Sequence, residues 1–204
     1  MKRNVKWLTV VLAIAGGLAN VNSAKAQNFV TIDNFQNFVP SALYASWATP
    51  AATITQNPTS WEVASYGYGS LWKYEGDINA SGASAVQLTI NILNPTGDPT
   101  FAAGPIVDLV DNNGNWAQFY WYGQTAGSDV LTANFNALPS PDYITAGFNF
   151  SDIQHIHLEC DPGSYSGLYD LQFQNLVLEV PEPGTLALVG LGALTLVIAR
   201  RRAQ

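Results

Sequence analysis

An antiparallel all-β sandwich is the fold class this 204-residue sequence predicts. Three observations lead there. Short runs of alternating apolar and polar residues recur, with "AVQLTINIL" the clearest. Gly, Pro, Asn, Asp and Ser separate those runs, which is strand-and-turn chemistry. An apolar period of 3.6 residues is nowhere sustained for three turns between Gln27 and Glu179, so helices are not expected there. Many short strands with turns between them fit two packed sheets.

The elements follow in order. Phe29–Phe35, Trp61–Tyr66 and Leu71–Asp77 are the first strand candidates. "AVQLTINIL" puts Val86, Leu88, Ile90 and Ile92 on one face and Gln87, Thr89 and Asn91 on the other. "PIVDLVDNNGNWAQFYWYG" predicts a hairpin, because the Asn-Gly of its turn, Asp111-Asn112-Asn113-Gly114, favours positive φ. After the turn Ala117, Phe119 and Trp121 alternate with Gln118, Tyr120 and Tyr122. "IQHIHLEC" alternates Ile156 and Leu158 with His155, His157 and Glu159. The single cysteine, Cys160, ends that strand and cannot form an internal disulfide. An odd cysteine in an exported chain can mean intermolecular pairing, but here the alternation buries it as a small hydrophobe. "YDLQFQNLVLEV" carries Tyr169, Leu171 and Phe173 on one face and Leu176, Leu178 and Val180 on the other. That change of phase predicts a bulge at Asn175.

Both ends of the chain differ from the middle. Residues 1–26 have a basic start (Lys2, Arg3, Lys6), an apolar stretch from Trp7 to Leu18 and the small-x-small sequence Ala24-Lys25-Ala26. This is the layout of a secretory signal peptide cleaved after Ala26. The middle, 27–179, is long enough for one domain. Residues 180–204 contain an uncharged segment from Gly184 to Ala199 followed by Arg200, Arg201 and Arg202. As a helix over 185–199 it would be a short transmembrane anchor against a hydrocarbon core of about 30 Å. The arginines would hold its end in the cytoplasm while the domain is exported across the inner membrane.

The tail's order of parts is specific. Val180-Pro181-Glu182-Pro183, an apolar helix and a terminal arginine cluster together resemble a PEP-CTERM sorting signal. The resemblance implies a Gram-negative, polysaccharide-producing bacterium and an exosortase partner, a membrane transpeptidase-like enzyme that removes the tail. Pro181, Glu182 and Pro183 would be the recognition motif and the arginines the stop. Insertion in the inner membrane would be transient, and the protein would end at the cell surface or in the extracellular matrix.

Charge narrows the function. The span 27–179 holds 14 acidic residues and one basic residue, Lys73, a net charge of −13. Phosphate contacts need Lys and Arg, so nucleic acid is excluded as a partner. Anionic surfaces are disfavoured by the same repulsion. Neutral sugars and divalent cations remain open.

The succession "VTIDNF", "SYGYGSLWKYEGDINASGASAVQLTINI", "VDLVDNNGNWAQFYW" and "YDLQFQNLVLE" resembles the galactose-binding-like jelly rolls found among carbohydrate-binding modules. The resemblance implies that the sandwich is a jelly roll and that a structural calcium ion could sit where the chain's ends meet. Its candidate ligands are Asp33, near the first strand, and Asp170, at the start of the last.

Other residues were weighed for chemistry. Asp111, Asn113 and Asn115 have the spacing that begins a calcium loop. The sixth and twelfth positions, which need Gly and Glu, hold Trp116 and Tyr122, so a hairpin turn is the better reading. His155 and His157 share one strand face and could supply two zinc ligands with an acid as the third. Two surface histidines need no metal, however, and no further His or nearby Cys completes a set. There is no G-x-S-x-G, no H-E-x-x-H and no phosphate-cradling loop. A glycosidase needs two placed carboxylates, for which Glu62, Glu75 and Glu159 are available.

Aromatic residues carry the strongest signal: five Trp, nine Tyr and nine Phe lie in 27–179. Both faces of "WAQFYWYG" are aromatic, and only one can lie in a sandwich core. Trp116, Tyr120 and Tyr122 then form an exposed face able to stack on sugar rings, unless a loop or neighbouring strand covers it. The expectation is a non-enzymatic, exported surface or biofilm-matrix protein associating with exopolysaccharide. A polysaccharide hydrolase and a self-assembling structural protein are the alternatives.

Overall fold

The structure, a computed structural model, describes residues 27–39, 42–43, 52–65, 69–94, 105–160 and 168–181. Ala24 and Ala26 of the expected signal peptide lie outside these residues. So do helix 185–199, Glu182, Pro183, Arg200, Arg201 and Arg202 of the expected tail. Among the described residues no helix is long and apolar enough to cross a membrane. One compact unit comprises Gln27–Pro181.

The unit is built from β1 (Gln27–Asp33), β2 (Ala42–Leu43), β3 (Thr53–Asn57), β4 (Ser60–Ser65), β5 (Gly69–Ile78) and β6 (Ala85–Asn94). Then follow β7 (Pro105–Asp111), β8 (Trp116–Tyr120), β9 (Gly127–Asn134), β10 (Tyr143–Ile144), β11 (Ile153–Cys160) and β12 (Tyr169–Pro181). They form two six-stranded sheets. The first has the order β3-β4-β12-β6-β9, with β1 also on β12, and the second β10-β8-β7-β11-β5-β2. Every pairing is antiparallel.

β12 is long enough to serve three partners. β6 runs along one side of it, while β4 (opposite Tyr169–Phe173) and β1 (opposite Leu176–Pro181) share the other. The register slips between Phe173 and Asn175, at the changeover from β4 to β1. The slip is the bulge expected at Asn175. It restores Leu176 and Leu178 to the core beside Tyr169, Leu171 and Phe173. The strand runs to Pro181, opposite Gln27, two residues beyond the expected domain end at Glu179.

The core lies between the sheets. β6 contributes Val86, Leu88, Ile90 and Ile92, and β11 contributes Ile153, Ile156, Leu158 and Cys160. Cys160 is free and buried, as the alternation predicts. At one end Trp61, Phe35, Phe38 and Phe173 pack with ring centroids 4.8–5.7 Å apart. Phe35 reaches that cluster with a left-handed backbone, φ 54°. Its N–H donates to Asp33 Oδ1, and Gln56 Nε2 donates to its carbonyl at 2.8 Å, so the strained turn is held from two sides.

Candidate functional site

Register arranges the second sheet's outer face. Along β7, Val107 and Leu109 enter the core, so Ile106, Asp108 and Val110 face the other way. On β8 the alternation that buries Ala117 and Phe119 turns Trp116, Gln118 and Tyr120 outward. On β11 it turns His155, His157 and Glu159 outward. On β5 Leu71 goes inward, which sends Trp72 and Tyr74 to the outer face.

Strand pairing then aligns these residues in rows. One row reads Trp116, Val110, His155, Tyr74. The next reads Tyr143, Gln118, Asp108, His157, Trp72. The third reads Tyr120, Ile106, Glu159, Ser70. Aromatic side chains occupy the margins, and the charged groups lie along the middle.

The rings touch each other. Trp72 stacks on His157 with centroids 4.3 Å apart, and the edge of Trp116 meets Trp72 at 5.0 Å. Tyr74 packs against His155 at 5.2 Å. Tyr120 and Tyr122 pair at 5.5 Å, and the Tyr120 hydroxyl donates to Gln118 Oε1 at 2.6 Å. Desolvation first, then the negative charge of Asp108, pushes the Tyr120 phenol up to about 12, so it stays a neutral donor. Beside Trp72 and His155 a groove of about 410 Å³ opens toward Asn112, Gly114 and Gln154.

Beneath the rings lie Asp108, His157 and Glu159. His157 Nδ1 is 2.8 Å from Asp108 Oδ2 and 3.2 Å from Glu159 Oε1. Asp108 is wholly buried. Desolvation raises its carboxyl, against the opposing influence of His157 and, less, Gln118. His157 is buried as well, although the sequence presents it on a polar strand face.

The expected aromatic residues fall on this face, in a different arrangement. Trp116 and Tyr120 are half-buried, while Tyr122 lies just past the end of β8 and is 46% exposed. They do not form one even row: Trp116 joins Trp72, and the two tyrosines join each other. Trp121, Phe119 and Ala117 are in the core. Trp72 and Tyr74 join the outward-facing rings; they lie in the aromatic-rich stretch "WEVASYGYGSLWKY", but the expected face does not include them. The signal was present in "SLWKY", where an inward Leu71 forces Trp72 outward.

The two expected calcium ligands are not brought together. Asp33 lies opposite Leu176 on β12, six residues from Asp170, or about 20 Å along an extended strand. Asp170 lies instead opposite Ala64 and Asn94. The Asp33 carboxylate is taken up by the Lys73 ammonium and the Phe35 N–H. Lys73 thus supplies internally the positive charge that an ion at Asp33 would have brought.

Asp111 belongs to the turn. Its carboxylate accepts hydrogen bonds from the N–H groups of Asn113, Asn115 and Asn149 and from Asn115 Nδ2, all at 2.8–3.0 Å. Burial would raise its pKa, but these bonds outweigh it and hold the carboxyl below the usual carboxylate range. The three glutamates separate. Glu62 accepts from Asn57 and Gln172 on the first sheet. Glu75 lies with Lys73 and Asp33, and Glu159 lies on the second sheet's outer face.

The two-sheet antiparallel sandwich resembles the fold of carbohydrate-binding modules. It superposes on the solution structure of CtCBM11 with TM-score 0.50 and 15% identity, covering 78% of this chain and 99% of that one. It matches the family 11 module of a Clostridium thermocellum cellulosomal cellulase over 76% of this chain and 95% of that one, with TM-score 0.48 and 12% identity. An agarase, AgWH50C, matches with TM-score 0.53 and 11% identity over 74% of this chain. This chain spans only 24% of that agarase. No curated protein matches by sequence. Residues 179–202 match the PEP-CTERM protein-sorting motif, so the chain carries a sorting signal for export to the cell surface. That motif implies exosortase processing, and Pro181 of the described strand lies within it.

Proposed function

We propose that this chain is an exported, non-enzymatic surface or matrix protein that binds neutral extracellular polysaccharide along the outer face of its second sheet. One observation carries the reading: Trp72, Tyr74, Trp116, Tyr120 and Tyr122 lie outside the core on one face, where core packing does not account for them. Aromatic rings stack on the flat CH faces of sugars, and comparable base–aromatic stacking contributes about 1–3 kcal/mol per ring. Gln154 and Asn112 supply hydrogen-bonding groups beside the rings.

Charge supports a neutral ligand. Lys73 is the domain's one cation, and its amine lies against Asp33 and Glu75, leaving no positive charge for an anionic polymer. Glu62, Glu75 and Glu159 lie apart, and the carboxyl beside Glu159, that of Asp108, is wholly buried, which favours binding over hydrolysis, since glycosidases hold two carboxyls on either side of one bond. The chain should therefore be retarded in native gels containing agarose or a neutral β-glucan, with little change on adding salt. Retardation only by acidic polymers, or collapse of the effect in salt, would contradict the reading.

A further inference from the structure

We propose that Asp108, His157 and Glu159 form a binding site for one divalent transition-metal ion, best matched by zinc. The inference rests on the geometry of these three residues and does not depend on sugar binding.

The fold builds the site from two strands. Asp108 on β7 is the direct cross-strand partner of His157 on β11, and Glu159 follows on the same face of β11. One nitrogen or oxygen from each lies within 4.8 Å of the others. The separations at His157 Nδ1, 2.8 and 3.2 Å, are close to the about 3.3 Å between neighbouring ligand atoms on a tetrahedral zinc with bonds of about 2.0–2.1 Å.

Within the cluster Asp108 carries the unmet demand. Asp108 is wholly buried; Gln118, its strand partner on β8, interacts with the carboxylate, but Oδ1 receives no hydrogen bond of ordinary geometry among the described residues. A buried carboxylate oxygen in that state is costly unless a cation or donor completes it. Among the described residues no cation is at hand, because Lys73 faces the core side with Ile156 as its strand partner and lies against Asp33 and Glu75.

The donor set selects the ion. One imidazole nitrogen with two carboxylate oxygens suits zinc, whereas calcium takes six to eight oxygens. Trp72 stacked on His157 fixes the ring's orientation, as the surroundings of metal-bound imidazoles commonly do. Three protein ligands leave a fourth position for water or a ligand hydroxyl. The Glu159 side chain, 15% exposed, marks the side of entry.

The test uses the untagged full chain, freed of metal by chelator and titrated with zinc by calorimetry and metal analysis. One zinc per chain at micromolar concentration is expected, and cobalt in its place should give the intense visible bands of a tetrahedral site. Glu159→Gln and His157→Gln should each weaken uptake by at least the about tenfold that even outer-shell changes cost. His155→Gln, on the neighbouring row, should leave it unchanged. Absence of stoichiometric uptake by the unmodified chain would overturn the proposal, as would uptake unaffected in Glu159→Gln. Glu159 is the partly exposed ligand, so that variant keeps the test decisive should His157→Gln fail to fold, and near-UV circular dichroism verifies its fold.

Discussion

The imidazole of His157 lies flat on the indole of Trp72, with centroids 4.3 Å apart and 10° between the planes. The two residues are cross-strand partners on β11 and β5, so the sheet itself sets their stacking. Trp116 closes on the pair edge-on at 84°. The largest rings of the face are therefore ordered before any ligand arrives, which spares binding the cost of ordering them.

Removing that stack should loosen the face as well as the fold. Trp72→Ala is expected to lose the about 0.5–1.5 kcal/mol of an aromatic pair in addition to its buried area, measured by urea unfolding. Trp72→Phe, which keeps a ring on His157, should recover most of it. Equal losses in the two variants would show that the stack contributes nothing.

Glu75 gives the domain a signature in pH. Desolvation first, then the neighbouring Asp33 charge, pushes its carboxyl up to about 8, with Lys73 pulling the other way. The fold thus favours protonated Glu75, while the unfolded chain ionises near the ordinary 4.5. The resulting stability is complete below about 4.5 and is lost as pH rises toward 8, at no more than about 1.4 kcal/mol per pH unit. Unfolding free energies measured across that window should fall for the native chain and fall less for Glu75→Gln. Parallel curves would contradict this.

How far the fold was legible depended on how each strand is buried. β6, β11 and β12 each bury one face, so their alternation shows in the sequence, and the phase change at Asn175 marks the bulge. β3 is exposed along nearly its whole length, and an edge strand of that kind has no apolar period to detect. The site was half legible. The aromatic face of β8 could be read, because two aromatic faces cannot share one core. Burial of His157 could not, since the side chains that cover it come from β5 and β8, and only cross-strand register brings them there. The separation of Asp33 and Asp170 was illegible for the same reason: sequence places both near strand ends but does not give the offset along β12.

The β7–β8 turn depends on Gly114, whose φ is +76°. No atom lies within 4 Å of where its Cβ would be, so a side chain there meets conformational cost alone. Gly114→Ala should therefore lower stability by about 1–2 kcal/mol, and Gly114→Asn by less, because Asn tolerates the left-handed region. Urea midpoints for the two variants would decide, and no difference from the native chain would refute the turn's role.

The domain's last strand ends at Pro181. Deleting 183–204 is expected to leave the melting curve unchanged while releasing the protein to the medium, scored by fractionating cells expressing each form. Cell-surface retention of the shortened chain would mean that something other than the tail holds it there.

The central claim is that the outer face of the second sheet binds neutral polysaccharide, and the Trp116→Ala, Tyr122→Ala double variant tests it most directly. Those side chains come from the two separate ring clusters, with Trp116 half-buried and Tyr122 exposed. In affinity gels with agarose or neutral β-glucan, the native chain should be retarded and the double variant should run free while near-UV circular dichroism shows it folded, at a modest loss of stability because Trp116 also packs on Trp72 and His157. A folded double variant retarded as strongly as the native chain would contradict the account.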